Sequence, residues 1–138
     1  QGLAKADGGG RGGGGTRCGI ACADGSTPQP APGYVAHTNG CGTAGFQLDV
    51  AHGLEECCDA HDICYGTCGK TYEACEAAFK KCMDAKCAAA RSPADRSDCQ
   101  GSAGVMALGT GFLGCGPFVE SQKEACTCGG AGFAGVPG

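Results

Sequence analysis

The sequence predicts a small, mainly α-helical, disulfide-rich fold in which two long antiparallel helices are crosslinked by disulfides. The chain has 138 residues with 28 glycines and 14 cysteines, and only 22 residues are Val, Ile, Leu, Met, Phe or Tyr. So few large apolar side chains cannot stabilise a chain of this length by burial alone. One disulfide that closes a 15-residue loop contributes about 3 kcal/mol. Two stretches of helical periodicity carry cysteines at matching spacing, which predicts the crosslinks.

Glycine-rich segments flank the part of the chain that holds the cysteines. Residues 1–17 and 129–138 are about half glycine and lack apolar periodicity, which predicts flexible ends. All the cysteines lie between them, so we expect one folded domain over residues 18–128. Within it, residues 18–53 contain several prolines and an Asn-Gly pair, which predict turns and loops.

Helical patterns follow this loop-rich part. The first predicted helix covers residues 54–67, and the second covers residues 71–90, which are rich in Glu, Ala and Lys. Gly69 ends the first helix, and Pro93 lies just past the second.

A weaker third helix is predicted over residues 101–113, where several glycines interrupt the pattern. Val105, Leu108 and Phe112 fall on one face of this helix. We expect the apolar run over residues 105–118 to belong to the core.

The cysteine spacing fixes how the two long helices pack. Cys57 and Cys64 are seven residues apart, and so are Cys75 and Cys82. Seven residues make about two helical turns, so each pair lies on one side of its helix. If the helices are antiparallel, one register pairs Cys57 with Cys82 and Cys64 with Cys75.

This register places His61 between the two bridges and within one turn of Glu76 on the facing helix. A carboxylate that accepts one ring N–H of an imidazole leaves the other nitrogen free to take up a proton. His61 and Glu76 are therefore candidates for an oriented general base. The alternative is a structural histidine in the core.

Asp62 is turned by about 100° from His61, toward the loop Asn39-Gly40-Cys41-Gly42. Small residues allow backbone carbonyls to approach a hard cation, and one carboxylate completes the oxygen shell expected for calcium. The alternative is a simple tight turn. Zinc is disfavoured, because the adjacent Cys57 and Cys58 cannot easily both reach one tetrahedral ion.

Composition and charge exclude several classes of protein. The net charge of −4 argues against a nucleic-acid-binding protein, and no apolar stretch is long enough to predict a transmembrane segment. The cysteine content favours secretion into an oxidising compartment, and we expect a monomer. Five basic residues predict a solvated face or, less favoured, one that meets an anionic lipid surface: Lys80, Lys81, Lys86, Arg91 and Arg96.

The segment over residues 57–65, Cys-Cys-Asp-Ala-His-Asp-Ile-Cys-Tyr, fits the CCxxHDxCY signature of secreted phospholipases A2 at every fixed position. The chain most resembles the group XII subfamily, with which residues 18–128 share further motifs. These are Cys-x-x-x-Cys-x-Asp-Gly-Ser (18–26), Asn-Gly-Cys-Gly (39–42), Thr-Cys-Gly-Lys (67–70), Leu-Gly-Cys (113–115) and Ala-Cys-x-Cys (125–128).

The resemblance implies a secreted, calcium-dependent phospholipase A2, a carboxylic ester hydrolase. Such an enzyme acts peripherally on a phospholipid membrane surface or micelle and cleaves the sn-2 ester to fatty acid and lysophospholipid. It implies that His61 activates a water, that Glu76 holds His61, and that Tyr65 donates a hydrogen bond to Glu76. It also implies a Ca2+ site formed by Asp62 and by loop carbonyls, namely those of Gly40, Gly42 and Ala44, or Gly45 in place of Ala44.

The same resemblance implies a disulfide between Cys41 and Cys58. The pairing of the other eight cysteines stays open, because eight cysteines allow 105 pairings: Cys18, Cys22, Cys68, Cys87, Cys99, Cys115, Cys126 and Cys128.

Two features depart from the family pattern. The family has aspartate where this chain has Glu76, and it has an N-terminal helix used at the lipid surface where this chain has a glycine tract. The alternative function is therefore a non-catalytic phospholipase A2-like module that binds lipid or a receptor. A purely structural cysteine-rich scaffold would leave the His61-Asp62 pair unexplained.

Overall fold

The computed structural model describes residues 18–41 and 50–135. The elements, in chain order, are strand β1 (Gln29–Pro30), helices α1 (Leu54–Tyr65), α2 (Tyr72–Ala88), α3 (Pro93–Leu113) and α4 (Cys115–Ala125), strand β2 (Cys126–Thr127) and a 3-10 turn (Gly129–Ala131). The two strands form an antiparallel pair with Gln29 opposite Thr127. The predicted mainly helical, disulfide-rich fold is confirmed, whereas the predicted flexible residues 1–17 lie outside the described part of the chain.

Helices α1 and α2 lie close to their predicted positions. The α2 helix begins after Thr71, whose side chain accepts a hydrogen bond from the Ala74 N–H at 3.0 Å. This N-cap satisfies a donor that the first helical turn leaves without a partner. The α1 helix begins after Gly53, whose φ of 74° suits glycine.

Two disulfides join α1 and α2 in the predicted antiparallel register. Cys57 pairs with Cys82 and Cys64 with Cys75, with Cα–Cα distances of 5.6 and 5.7 Å. The Cys41–Cys58 bridge is also present. The four pairs that the sequence left open are Cys18–Cys115, Cys22–Cys128, Cys68–Cys126 and Cys87–Cys99.

The third helix is longer than predicted. It starts at Pro93 because the Ser92 side chain accepts the Asp95 N–H at 3.0 Å and Pro93 fits the first helical turn. Pro93 therefore both follows the end of α2 and begins α3. Helix α4 was not predicted. Its Pro117 lies in the first turn, where a missing N–H is tolerated.

The core lies between α1, α2 and α3, where Leu54, Phe79, Met83 and Met106 pack among buried half-cystines. A smaller cluster joins Tyr65, Cys75 and Phe118 near α4.

The prediction that the whole run 105–118 is core was wrong. Met106 and Phe118 are buried, but Val105, Leu108 and Phe112 are 70%, 64% and 79% exposed. The three do share one face of α3, as predicted. That face points outward because the opposite face of the helix packs against the core.

The chain after β2 differs in part from the predicted flexible tail. Phe133 forms an isolated antiparallel bridge with Cys22, and the Ala134 N–H donates to the Ala21 carbonyl at 2.7 Å. Residues 129–134 are thus attached to the beginning of the folded domain.

Among the residues that the structure describes, no single helix has the length and apolar character needed to cross a membrane. Helices α3 and α4, which are bent by 69° relative to each other, have that length and apolar character only when taken together.

Candidate active site

His61 lies on α1, halfway between the two disulfides that hold this helix against α2. Its side chain is 7% exposed, and its Nε2 lies 2.6 Å from Oε2 of Glu76. The ring stacks on Phe79 with centroids 4.2 Å apart and also contacts the Tyr65 ring at 4.3 Å. An Nε2–H that donates to the carboxylate leaves Nδ1 able to accept a proton. His61 is therefore oriented as a general base requires.

The Glu76 carboxylate is fixed at both oxygens. The Tyr65 hydroxyl donates a hydrogen bond to Oε2 at 2.7 Å, and the Thr110 hydroxyl donates one to Oε1 at 2.5 Å. Burial raises the pKa of Glu76, but the hydrogen bonds from His61, Thr110 and Tyr65 outweigh this and hold the pKa below its ordinary value. The ionised carboxylate is thus the stable form beside His61.

Tyr65 is the third predicted member of this group. Burial, together with the hydrogen bond to Glu76, raises the pKa of its phenol, so Tyr65 stays protonated and donates. Its hydroxyl lies close to the junction of α3 and α4. A Cβ at Gly114 would overlap both this hydroxyl and the Thr110 carbonyl. Glycine is therefore required where α3 gives way to α4.

Thr110 is a site residue that the sequence did not predict. It lies on α3, distant in sequence from α1 and α2, and its carbonyl accepts a hydrogen bond from the Tyr72 hydroxyl. The one available signal was a polar side chain in a weakly helical apolar run. That signal does not predict which residue accepts a hydrogen bond from the Thr110 hydroxyl.

Gln122 on α4 was also missed as a structural residue. It is 2% exposed, and its amide nitrogen donates to the carbonyls of Tyr65 and Thr67 at 2.8 and 2.9 Å. Its amide oxygen accepts the Gly69 N–H at 3.2 Å. These bonds satisfy backbone groups at the end of α1, so α4 fixes the turn of α1 that carries Tyr65.

Asp62 lies next to the loop that was predicted to hold a cation. Its Oδ2 accepts the Asn39 N–H at 2.9 Å, and Gly40 follows with a φ of 80° that favours glycine. Gly42, Ala44 and Gly45 lie outside the described residues. Burial raises the pKa of Asp62, and this exceeds the opposing effect of the Asn39 hydrogen bond.

The described residues fit a hard divalent cation at this place. A partly buried carboxylate is held against the start of a glycine-containing loop, and calcium prefers carboxylate and carbonyl oxygens. A cation there would stabilise the ionised form of Asp62, which burial alone disfavours. In the described part of the chain, His, Cys, Asp and Glu side chains form no group of three or more that could by itself hold a metal ion.

Comparison with known proteins places the chain in a family. The family model for the group XII secretory phospholipase A2 precursor matches residues 9–132. The chain is 34% identical to the group XIIA secretory phospholipases A2 of Mus musculus and Homo sapiens, over 80% of its own length and 62% and 63% of theirs. It is 31% identical to the group XIIB secretory phospholipase A2-like protein of Mus musculus, over 80% of its own length and 64% of that protein.

The chain thus spans slightly less than two thirds of the length of these relatives. No solved structure matches it. The family model covers the region of His61, Tyr65 and Glu76 described above, since its match spans residues 9–132. The chain belongs to the group XII secretory phospholipase A2 family.

Proposed function

We propose that this protein is a secreted, calcium-dependent phospholipase A2 that hydrolyses the sn-2 ester of glycerophospholipids. The observation that carries the proposal is the 2.6 Å contact between Nε2 of His61 and the Glu76 carboxylate, in a chain of this family. Fourteen cysteines joined in seven disulfides suit an extracellular protein, and the relatives are named secretory. The substrate would be met at a phospholipid membrane surface or micelle.

In the proposed reaction, Nδ1 of His61 takes a proton from a water molecule as the water oxygen attacks the ester carbonyl. Glu76 stabilises the imidazolium that forms, and the same proton then passes to the leaving alcohol of the lysophospholipid. General-base catalysis of this kind contributes about 10²–10⁴-fold to the rate. Tyr65 and Thr110 hold Glu76 in place, so the imidazole is oriented before substrate binds.

Asp62 and the carbonyls of Gly40, Gly42 and Ala44 are the proposed calcium ligands. Bound calcium would polarise the ester carbonyl and stabilise its developing negative charge. Asp62 directly follows His61 on α1, so the helix that carries the proposed base also carries the carboxylate of the proposed cation site.

Removal of calcium tests this function. We expect the chain to release free fatty acid from phosphatidylcholine vesicles in millimolar calcium and to stop in excess chelator. Added calcium should restore release, whereas an equal concentration of magnesium should not, because magnesium demands a smaller octahedral shell. Equal release in chelator, or no release at any calcium concentration by a folded chain, would contradict the proposal.

A second candidate is a non-catalytic module that binds lipid or a receptor. Glu76 favours it, because glutamate is one methylene longer than the aspartate that the family pattern has at this position. One relative is itself named a phospholipase A2-like protein. Vesicle binding without fatty-acid release in calcium would support this candidate.

Thr110 offers a test of how Glu76 is held. Thr110→Val keeps the shape of the side chain but removes the donor to Oε1 of Glu76. Losing one hydrogen bond to a charged group should lower kcat/KM about 10-fold. Thr110→Ser, which keeps the hydroxyl, should stay close to wild type. Wild-type turnover in the valine variant would show that Thr110 does not position Glu76.

A further inference from the structure

Helix α3 has two apolar faces, and residues 18–41 and 50–135 cover only one of them. Cys99, Ala103 and Met106 are buried, whereas Val105 and Leu108 point away from them and are 70% and 64% exposed. Phe112 continues this outer side at 79% exposure, and Leu113, the last residue of α3, is 71% exposed. We call Val105, Leu108 and Phe112 the outer α3 face. A helix that is apolar on all sides is typical of burial in a core or a membrane, yet here the outer side is open.

The segment around the outer α3 face contains no charge. Residues 99–119 include none of the chain's 24 Asp, Glu, Lys and Arg residues, although these make up 17% of the sequence. Ordinary solvent-facing helices carry charged side chains on the outer side. The absence of charge over 21 residues therefore favours an apolar occupant that does not bind through ion pairs.

The same helix forms part of the candidate active site. Thr110, between Leu108 and Phe112, donates to Glu76 at 2.5 Å, and its carbonyl accepts the Tyr72 hydroxyl. The outer α3 face is thus within one helical turn of a residue that holds the catalytic carboxylate. The Thr110 side chain points toward Glu76 and away from Leu108 and Phe112, so the inner side of α3 holds the carboxylate while the outer side is free to bind a surface.

We propose that the outer α3 face docks on the surface of a zwitterionic phospholipid membrane, with α3 lying along the interface. The choice of lipid rests on the proposed function, since a phospholipid hydrolase must meet its substrate in such a surface. An amphipathic helix binds there by burying its apolar face at the boundary between headgroups and acyl chains. Since the face is uncharged, binding should need neither anionic lipid nor low salt.

The test measures vesicle binding separately from hydrolysis. The full chain carrying His61→Gln is mixed with phosphatidylcholine vesicles in high salt, and the bound fraction is measured by sedimentation. Adding Leu108→Asp and Phe112→Asp should weaken binding by about 100-fold or more, because two large apolar side chains no longer enter the interface. The matched control is Val35→Asp, since Val35 is equally exposed at 79% but lies outside α3. This control should bind normally.

Three results would overturn the inference. The first is unchanged vesicle binding by the α3 double variant. The second is binding that requires anionic lipid and fails in high salt. The third is self-association through this face: the parent forms a dimer and does not bind vesicles, and the double variant is a monomer. Circular dichroism checks that the variants fold, and Leu108→Ser with Phe112→Ser replaces the aspartates if they do not. If vesicle binding depends on the face but the wild type releases no fatty acid, the proposed function fails and this inference stands.

Discussion

Replacing His61 with glutamine is expected to reduce calcium-dependent fatty-acid release by about 10²–10⁴-fold, the contribution typical of a general base. Glutamine can still donate a hydrogen bond to Glu76, but it has no basic nitrogen that could take a proton from water. The loss should therefore appear in turnover, while the helical circular dichroism stays that of the wild type.

His52→Gln is the matched control for this variant. His52 also contacts a carboxylate, with its Nε2 2.8 Å from Oδ2 of Asp98, but His52 lies before α1 and Asp98 near the start of α3, outside the candidate site. We expect the His52 variant to retain its activity. A His61 variant that hydrolyses phospholipid as fast as the His52 variant would exclude His61 as the base.

Reduction of the seven disulfides is expected to abolish activity and most of the helical circular dichroism together. The bridges close loops with sequence separations from 11 to 106 residues, and each should contribute about 3 kcal/mol or more. The core cluster between the helices is small, and four of its nine buried residues are half-cystines. Without the crosslinks, the remaining apolar contacts cannot offset the conformational entropy of the chain.

Single bridges should differ in their effects on activity. Replacing both Cys64 and Cys75 with alanine removes a bridge between α1 and α2 next to Tyr65 and Glu76, so activity should fall strongly. Replacing Cys22 and Cys128 removes a bridge between the segments before α1 and after α4, so activity should largely remain. Helicity that survives full reduction would contradict this account of stability.

The sequence was sufficient to predict the two crosslinked helices and the contact between His61 and Glu76. The reason is geometric, since two cysteine pairs with equal spacing permit one antiparallel register, and that register brings His61 to Glu76. Local periodicity carries this information. The prediction therefore needed no knowledge of the rest of the fold.

Contacts from distant segments could not be predicted in this way. Thr110 and Gln122 reach the site from α3 and α4, and no spacing in the sequence links them to Glu76 or to the end of α1. For α3, periodicity grouped Val105, Leu108 and Phe112 but could not tell which side of the helix faces the core. Cysteine, alanine and methionine on the opposite side are apolar enough to pack there. The roles of Gly42 and Ala44 remain predictions.

We propose that His61 and Glu76 act as one catalytic unit, held together by the bridged helices α1 and α2. The direct test is to measure kcat/KM for fatty-acid release by His61→Gln, Glu76→Gln and the double variant. Residues that act as a unit show strongly non-additive effects. We therefore expect the double variant to be no less active than His61→Gln alone. A double variant whose loss equals the product of the two single losses would contradict the claim.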